Sequence, residues 1–181
     1  MLTNSFLKLT SKLRKENHVV DFVATISSAK SILVFMPDKM EDFRIAQKFV
    51  HEIEKDFPAA KVDFCTNHSY QEQLNFSKEY GTIFVTSEDI SPLGLPKRKL
   101  QHKIMATNYD IVIDLNQDFY PISTYLCNKA NAVLKICLDE QQREPFYNFR
   151  FRINLPMNLE EKYKKLFRYL ECFNIPKTAL N

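Results

Sequence analysis

The sequence predicts an α/β domain with one Rossmann-like, mainly parallel twisted sheet of five to six strands and helices on both faces. Three observations support this. Short β-type runs recur at intervals of about twenty to thirty residues. Several of these runs are apolar throughout, as strands covered on both faces are. Amphipathic segments separate them, and strand–helix–strand alternation favours parallel pairing through right-handed crossovers.

The elements fall into two parts, an N-terminal helical extension at residues 1–30 and the Rossmann-like domain at residues 31–181. The extension contains two predicted helices, Ser5–Lys15 and Val20–Ala29. The domain contains six predicted strands, the last of them an edge strand because its apolar and basic residues alternate. These strands are Ser31–Met36, Lys61–Cys65, Gly81–Thr86, Asp110–Leu115, Ala132–Ile136 and Phe149–Ile153.

The clearest helix is predicted over Glu41–Asp56, where apolar residues repeat at three- and four-residue steps. Asp38 and Glu41 have the spacing of a capping box before it. A second long helix is predicted to begin after Asn158, with Glu161 three residues on. Shorter helices and one long surface loop complete the prediction: helices near Tyr70–Phe76, Lys97–Ala106 and Ile122–Asn128, and a loop at Ser87–Lys99.

Composition narrows the class of protein. The chain has 181 residues, 45% of them hydrophobic, with 15 Phe, which indicates a globular domain with a real core. No apolar run approaches the ~20 residues of a membrane span, and no secretory signal is recognisable. The four cysteines form no CxxC pair. We therefore expect buried free thiols in a reducing, cytoplasmic compartment and no metal site.

Glycine usage limits cofactor binding. The chain has only two glycines, Gly81 and Gly94. A dinucleotide-binding GxGxxG motif needs three, and a P-loop needs two together with Lys and Ser or Thr. The sequence therefore predicts no nucleotide cofactor of the usual kind.

Two stretches of sequence carry a resemblance to a known family. They read ILVFMPDKMEDFRIAQKFVHEIEKDFPAAKVDF, from Ile32 to Phe64, and YDIVIDLNQDFYPISTYLCNKANAVLKI, from Tyr109 to Ile136. The order of these elements and their residue sequences resemble the N-terminal half of the lipopolysaccharide heptosyltransferases. The segment Leu159–Ile175 is similar to the helix that closes that family's first domain. The resemblance implies a GT-B-type, acceptor-side domain that binds a sugar or glycolipid acceptor, and the chain ends where the family's donor-binding domain would begin.

The resemblance also implies site residues. Asp42 falls on the family's catalytic Asp, the general base for the acceptor hydroxyl. The preceding family Gly is Glu41 here. The alternative is that Asp38, Glu41 and Asp42 only cap the helix and favour its dipole.

Further acceptor-binding candidates come from the expected position of strand ends. Asn116, Gln117 and Asp118 follow the predicted strand Asp110–Leu115, and ligands of open α/β sheets bind at the carboxyl ends of strands. Asp38 is a further acceptor-binding candidate. The alternative for these residues is ordinary turn chemistry.

Two basic segments suggest other partners. Arg143, Arg150 and Arg152 alternate with aromatic residues, a pattern that can bind single-stranded nucleic acid or form an edge strand with one buried face. The net charge of +3 is too weak to favour nucleic acid. Residues 5–15 form an amphipathic pattern that could contact an anionic membrane surface or pack on the domain or a protein partner.

Three functions follow from these observations. The first is a non-catalytic, glycosyltransferase-like binding or scaffolding module, with a protein partner or a second copy in a larger assembly. The second is the acceptor-binding half of a split glycosyltransferase in cell-envelope glycan synthesis, with the donor site on another chain. The third is a weak nucleic-acid-binding module.

Overall fold

The structure, a computed structural model, describes residues 20–74, 80–153 and 155–173. Its centre is a six-stranded sheet in the order β3-β2-β1-β4-β5-β6, and every neighbouring pair is parallel. The strands are β1 Ser31–Phe35, β2 Lys61–Asn67, β3 Gly81–Val85, β4 Asn108–Asp114, β5 Asn131–Leu138 and β6 Phe149–Phe151. The predicted parallel Rossmann-like sheet is confirmed.

Six α-helices connect and cover these strands in the described part of the chain. They are α1 Phe22–Ser27, α2 Met40–Gln47, α3 Val50–Asp56, α4 Arg98–Met105, α5 Pro121–Lys129 and α6 Leu159–Glu171. Three short 3-10 turns lie at His68–Gln73, Ser87–Asp89 and Gln141–Arg143. None of the helices among the described residues is long and apolar enough to cross a membrane.

The sheet separates two hydrophobic cores, as its buried strands predict. In β1, Ile32 and Val34 face the core that α1, α2, α3 and α6 cover, whereas Leu33 and Phe35 face the core beneath α4 and α5. Strand side chains alternate between faces, so a continuously apolar strand supplies both cores at once. Phe149 of the edge strand β6 packs on the first core, its ring 4.5 Å from that of Phe22.

The predicted helix Glu41–Asp56 is two helices, which corrects the prediction. After α2 ends at Gln47, the amide of Phe49 bonds the carbonyl of Ala46 at 2.9 Å, a tighter turn than an α-helix makes. The turn lets the buried Phe49 ring lie 5.5 Å from Tyr163 and 5.7 Å from Phe167 of α6. Packing against α6 therefore overrides the helical periodicity of the segment.

The predicted capping box of Asp38 and Glu41 is also wrong. The N-cap of α2 is Lys39, with no side-chain capping bond. At α6, by contrast, the predicted capping box is present: Glu161 N–H donates to Asn158 Oδ1 at 2.9 Å, and Asn158 N–H donates to Glu161 Oε2 at 3.1 Å. Asp38 fails as a cap because its polar groups are engaged by other loops, as described below.

Several smaller predictions have mixed outcomes. The helix expected near Tyr70–Phe76 is the 3-10 turn His68–Gln73, and positions 75 and 76 lie outside the described residues. The predicted helix Ser5–Lys15, with its membrane-contact hypothesis, also lies outside them. All four cysteines are free thiols, three of them buried (Cys65, Cys127 and Cys137), whereas Cys172 is exposed.

Candidate functional site

Strands β1 and β4 lie side by side at the centre of the sheet, and the chain leaves them in opposite directions along it. This topological switch point is where open α/β sheets form a crevice for ligands at their carboxyl ends. In this structure, the loops that follow β1 and β4 are joined to each other across the switch point. The Asp38 N–H donates to Asn116 Oδ1 at 3.0 Å, and the Lys39 ammonium pairs with the Asp118 carboxylate.

Asp38 is the centre of a polar network at this edge of the sheet. Its carboxylate accepts a hydrogen bond from Asn67 Nδ2 at 3.3 Å, at the end of β2. Its backbone carbonyl accepts a hydrogen bond from the Tyr70 hydroxyl. Burial, and then the charge of Asp38, raise the pKa of Tyr120, so that phenol stays neutral. Asp38 thus links the segments that follow β1, β2 and β4.

A fully buried ion pair lies beneath this network. Asp114 and Arg143 are both 0% exposed, with Arg143 Nη2 2.8 Å from Asp114 Oδ2. The hydroxyl of Ser123 donates to Oδ2 at 2.8 Å, and the hydroxyl of Tyr147 donates to the same oxygen. The Asn116 side chain donates to Oδ1 at 2.8 Å. Burial alone would lower the pKa of Arg143, but the Asp114 carboxylate raises it above its ordinary value, so the guanidinium stays charged.

The buried ion pair also fixes the position of the polar network above it. Arg143 Nη1 donates to the carbonyl of Asn116 at 2.6 Å, and Asn116 in turn holds Asp38. The sequence grouped Arg143 with Arg150 and Arg152 in an aromatic–basic stretch, but the structure buries Arg143 in the core, where it pairs with Asp114 of β4. The signal available in the sequence was Asp114 itself, a carboxylate inside an apolar strand that requires a buried partner.

Asp42, the candidate general base, lies in the first turn of α2 and is half-buried. Burial raises the pKa of its carboxyl, Lys39 opposes that shift, and the carboxylates of Asp118 and Glu41 add to it. A raised pKa is the direction that a general base working near neutral pH requires.

The other predicted residues divide into two groups. Asp38, Asn116 and Asp118 lie together at the switch point, joined through the Asp38–Asn116 hydrogen bond and the Lys39–Asp118 ion pair. Gln117 does not join them, because its side-chain oxygen accepts a hydrogen bond from Lys162 of α6 at 3.2 Å. It lines a separate groove of about 90 Å³ beside that helix.

A cleft at this edge lies to one side of the switch point, over the carboxyl ends of β2 and β3. Its volume is about 510 Å³, and a smaller pocket of about 30 Å³ lies beside it and shares four of its lining residues. The cleft lining is neutral apart from one histidine: Asn67, His68, Ser69, Val85, Thr86, Ser87, Ile90, Tyr120 and Ile122. The sequence did not predict this cleft, although Asn67 lies just beyond the predicted strand Lys61–Cys65, much as Asn116 follows Asp110–Leu115.

The aromatic–basic strand presents little free positive charge. Arg150 Nη1 lies 2.8 Å from Asp139, and Arg152 Nε lies 2.6 Å from the same carboxylate. Phe149 and Phe151 pack against the first core. Among the described residues, no group of three or more His, Cys, Asp or Glu side chains could hold a metal ion.

Comparison with known proteins identifies the fold. A family profile described as "Family of unknown function (DUF6913)" matches residues 3–173. No curated protein gives a significant match. Among solved structures, the E. coli heptosyltransferase WaaC with ADP has a TM-score of 0.59 and 18% sequence identity over 81% of this chain. A glycosyl transferase of family 9 from Veillonella parvula has a TM-score of 0.64 and 20% identity over 78% of this chain.

E. coli ADP-heptose lps heptosyltransferase II is similar too, with a TM-score of 0.59 and 21% identity over 76% of this chain. The chain spans less than half of each of these three proteins: 48% of WaaC, 41% of the Veillonella protein and 40% of heptosyltransferase II. At these identities the likeness concerns the fold. The resemblance expected from the sequence is confirmed at that level, and the chain corresponds to part of a heptosyltransferase-like GT-B structure.

Proposed function

Since the chain belongs to DUF6913, a family of unknown function, we propose its function from the site itself: a glycosyltransferase-like domain that binds a ligand without transferring sugar. It acts as a binding or scaffolding module within a larger assembly.

One observation carries this proposal. The loops after β1 and β4 are joined across the switch point by the Asp38–Asn116 hydrogen bond and the Lys39–Asp118 ion pair. A reacting acceptor hydroxyl would have to lie within about 3 Å of its base in such a crevice. The groups expected to bind an acceptor are engaged with each other instead, and their geometry is held from below by Arg143.

The charge around Asp42 agrees with a non-catalytic role. Glu41 and Asp118 both add negative charge beside its carboxylate. Of the two cations that act on it, Lys39 pairs with Asp118 and Lys162 donates to Gln117. A leaving nucleoside diphosphate is an anion and needs cations or helix N-termini to stabilise it. The electrostatics at this edge disfavour that chemistry.

The test is a titration of the purified chain with ADP-sugars and UDP-sugars by calorimetry, followed by incubation with free sugars and mass spectrometry. We expect no saturable nucleotide-sugar binding and no transferred sugar. Tight, specific binding of a nucleotide sugar together with transfer would overturn the proposal.

A second candidate, the acceptor half of a split glycosyltransferase, is favoured by Asp42. Its half-buried carboxyl has a raised pKa, and it falls at the position of the resembled family's catalytic Asp. In this function a separate chain supplies the donor site, and Asp42 takes the proton from the acceptor hydroxyl as the hydroxyl attacks the donor sugar.

This candidate is tested with the chain reconstituted with a donor-binding partner. Asp42→Asn should abolish transfer, because the amide cannot accept the proton, whereas the neighbouring exposed Glu41→Gln should leave most of the rate. Equal rates for the Asp42→Asn variant and the unmodified chain would eliminate the split enzyme.

A further inference from the structure

A groove lies at the opposite edge of the sheet from the switch point, where three helices end. Its volume is about 390 Å³, which is within the range of small-ligand sites. The ends of α1, α3 and α6 line it through Ser27, Asp56 and Glu171. The carbonyls of a last helical turn point out of that end of the helix and carry partial negative charge. Backbone dipoles at this edge therefore favour a cation.

The carbonyls that end α3 keep an unused capacity to accept hydrogen bonds. Pro58 follows the helix closely and has no N–H to donate. The amide of Phe57 donates to the carbonyl of Ile53 at 2.9 Å, and no backbone amide among the described residues donates to the carbonyl of Lys55 or Asp56. Two residues that line the groove therefore have carbonyls available to a ligand that donates hydrogen bonds.

Asp56 is a buried carboxylate without a partner. It is 5% exposed, and within the described part of the chain its carboxylate accepts no hydrogen bond and forms no ion pair. The neighbouring ammonium, that of Lys55, lies 3.1 Å from Glu171 instead. Buried carboxylates normally have a hydrogen-bonding or charged partner, so Asp56 can still bind a cation that supplies one.

The carboxylate of Asp56 reaches the groove. In the described part of the chain, the side-chain oxygens that are fully enclosed without a hydrogen-bond partner belong to Asp63 and Thr66. Neither oxygen of Asp56 is among them, so both keep some contact with solvent. Since Asp56 is otherwise buried and lines the groove, this remaining contact lies on the groove side. A cation in the groove can therefore meet the carboxylate directly.

The surrounding groups select an ammonium rather than a metal ion. Glu171 and Glu52 add negative charge beside Asp56, and Lys55 opposes them, whereas α1 contributes no charged residue to the lining. Among the described residues, no group of three or more His, Cys, Asp or Glu side chains could hold a metal ion. An ammonium needs fewer charged ligands, because each of its N–H bonds can donate to a carboxylate or a carbonyl oxygen separately.

We propose that this groove binds a small alkylammonium cation, with the Asp56 carboxylate as its counter-ion and the carbonyls of Lys55 and Asp56 as further hydrogen-bond acceptors. The alkyl chain of the ligand lies against the apolar residues of the lining, which are Ala29, Phe57, Pro58 and Ala59. The groove lies away from the switch point, so this inference is independent of the proposed function of that edge.

The experiment is an amide chemical-shift titration of the full chain at pH 7.5 and constant ionic strength. The probes are n-butylamine and 1,4-diaminobutane, with 1-butanol as the uncharged comparison and magnesium chloride as the metal comparison. We expect at least one amine to give saturable shifts at Ser27, Phe57 and Ala59, with a dissociation constant below about 10 mM. Butanol and magnesium should bind at least about tenfold more weakly.

A second pH and two variants test the role of Asp56. Burial and the charge of Glu171 raise the pKa of Asp56 to about 6. At pH 5 only about a tenth of the free chains carry this charge, so amine binding should weaken about tenfold. Asp56→Asn should weaken binding by at least about tenfold at pH 7.5 and remove this pH dependence. Glu160→Gln removes the same charge at the opposite end of α6 and should bind as the unmodified chain does.

The design separates binding from folding, because removal of the buried charge at Asp56 should stabilise the domain at pH 7.5. A loss of binding in Asp56→Asn is then a loss of the counter-ion. Amine binding that this variant leaves unchanged overturns the inference, as does equal binding of butanol. Magnesium that displaces the amine at equal concentration also overturns it. Shifts that grow without saturation, or no shifts at all, overturn it as well.

Discussion

Replacing Arg143 by Met should destabilise the domain more than any other single loss of charge described above. The guanidinium lies 2.8 Å from Asp114, and both residues are 0% exposed. Without Arg143 the carboxylate remains in the core with neutral donors alone. Removing one partner of a buried ion pair typically costs about 3–5 kcal/mol. A domain with a typical stability of about 5–15 kcal/mol would lose a large share of it.

The assay is guanidinium chloride denaturation followed by circular dichroism at 222 nm, because the chain contains no tryptophan for fluorescence. Arg143→Met combined with Asp114→Asn removes both charges and should recover about 1–2 kcal/mol of the loss. Arg152→Met is the matched control, since its pair with Asp139 lies at the surface, with the arginine side chain 62% exposed. The midpoint of this control should stay almost unchanged.

Two results would refute this reasoning. A loss below about 1 kcal/mol for Arg143→Met would mean that Asp114 does not depend on the guanidinium for its charge balance. A double variant whose loss equals the sum of both single losses would show that the two side chains do not interact.

Three further predictions concern other parts of the molecule. Burial, aided by the charge of Glu171, raises the pKa of Asp56 to about 6. The folded state therefore binds the carboxyl proton of Asp56 more tightly than the unfolded chain does. As a result, the free energy of unfolding falls as pH rises through about 6. Asp56→Asn should therefore stabilise the domain by about 1–3 kcal/mol at pH 7.5 in urea unfolding and change little near pH 4. Gly81→Ala should cost about 1–3 kcal/mol in the same assay, because the new Cβ would lie 2.1 Å from Asp63 Oδ1; an unchanged midpoint would contradict this. A thiol reagent should label Cys172 rapidly and the three buried cysteines only after unfolding, and a second fast site would contradict the burial pattern.

Much of the fold could be predicted because the strands have a strong local signal. The apolar run at β1 fills both cores, so its pattern specifies a central strand without any knowledge of its neighbours. The break between α2 and α3 could not be predicted in this way. Phe49 suits an uninterrupted amphipathic helix equally well, and only its contacts with α6 decide the turn.

The site was partly predictable for a related reason. Asp38, Asn116 and Asp118 follow apolar strands directly, and the carboxyl ends of parallel strands meet at one edge. Arg143 carries no comparable signal of its own. It lies in a polar stretch that resembles any surface loop. Its importance depends on its burial against Asp114, a residue distant in sequence.

The position of β1 has a consequence for synthesis of the chain. Its residues Ile32–Phe35 pair on one side with β2 and on the other with β4, which is made much later. Until the ribosome releases β4, a nascent chain that has already formed β1–β3 presents an apolar, unpaired strand edge. Such edges attract other chains. We therefore expect the chain to be most prone to aggregation in the interval before β4 emerges.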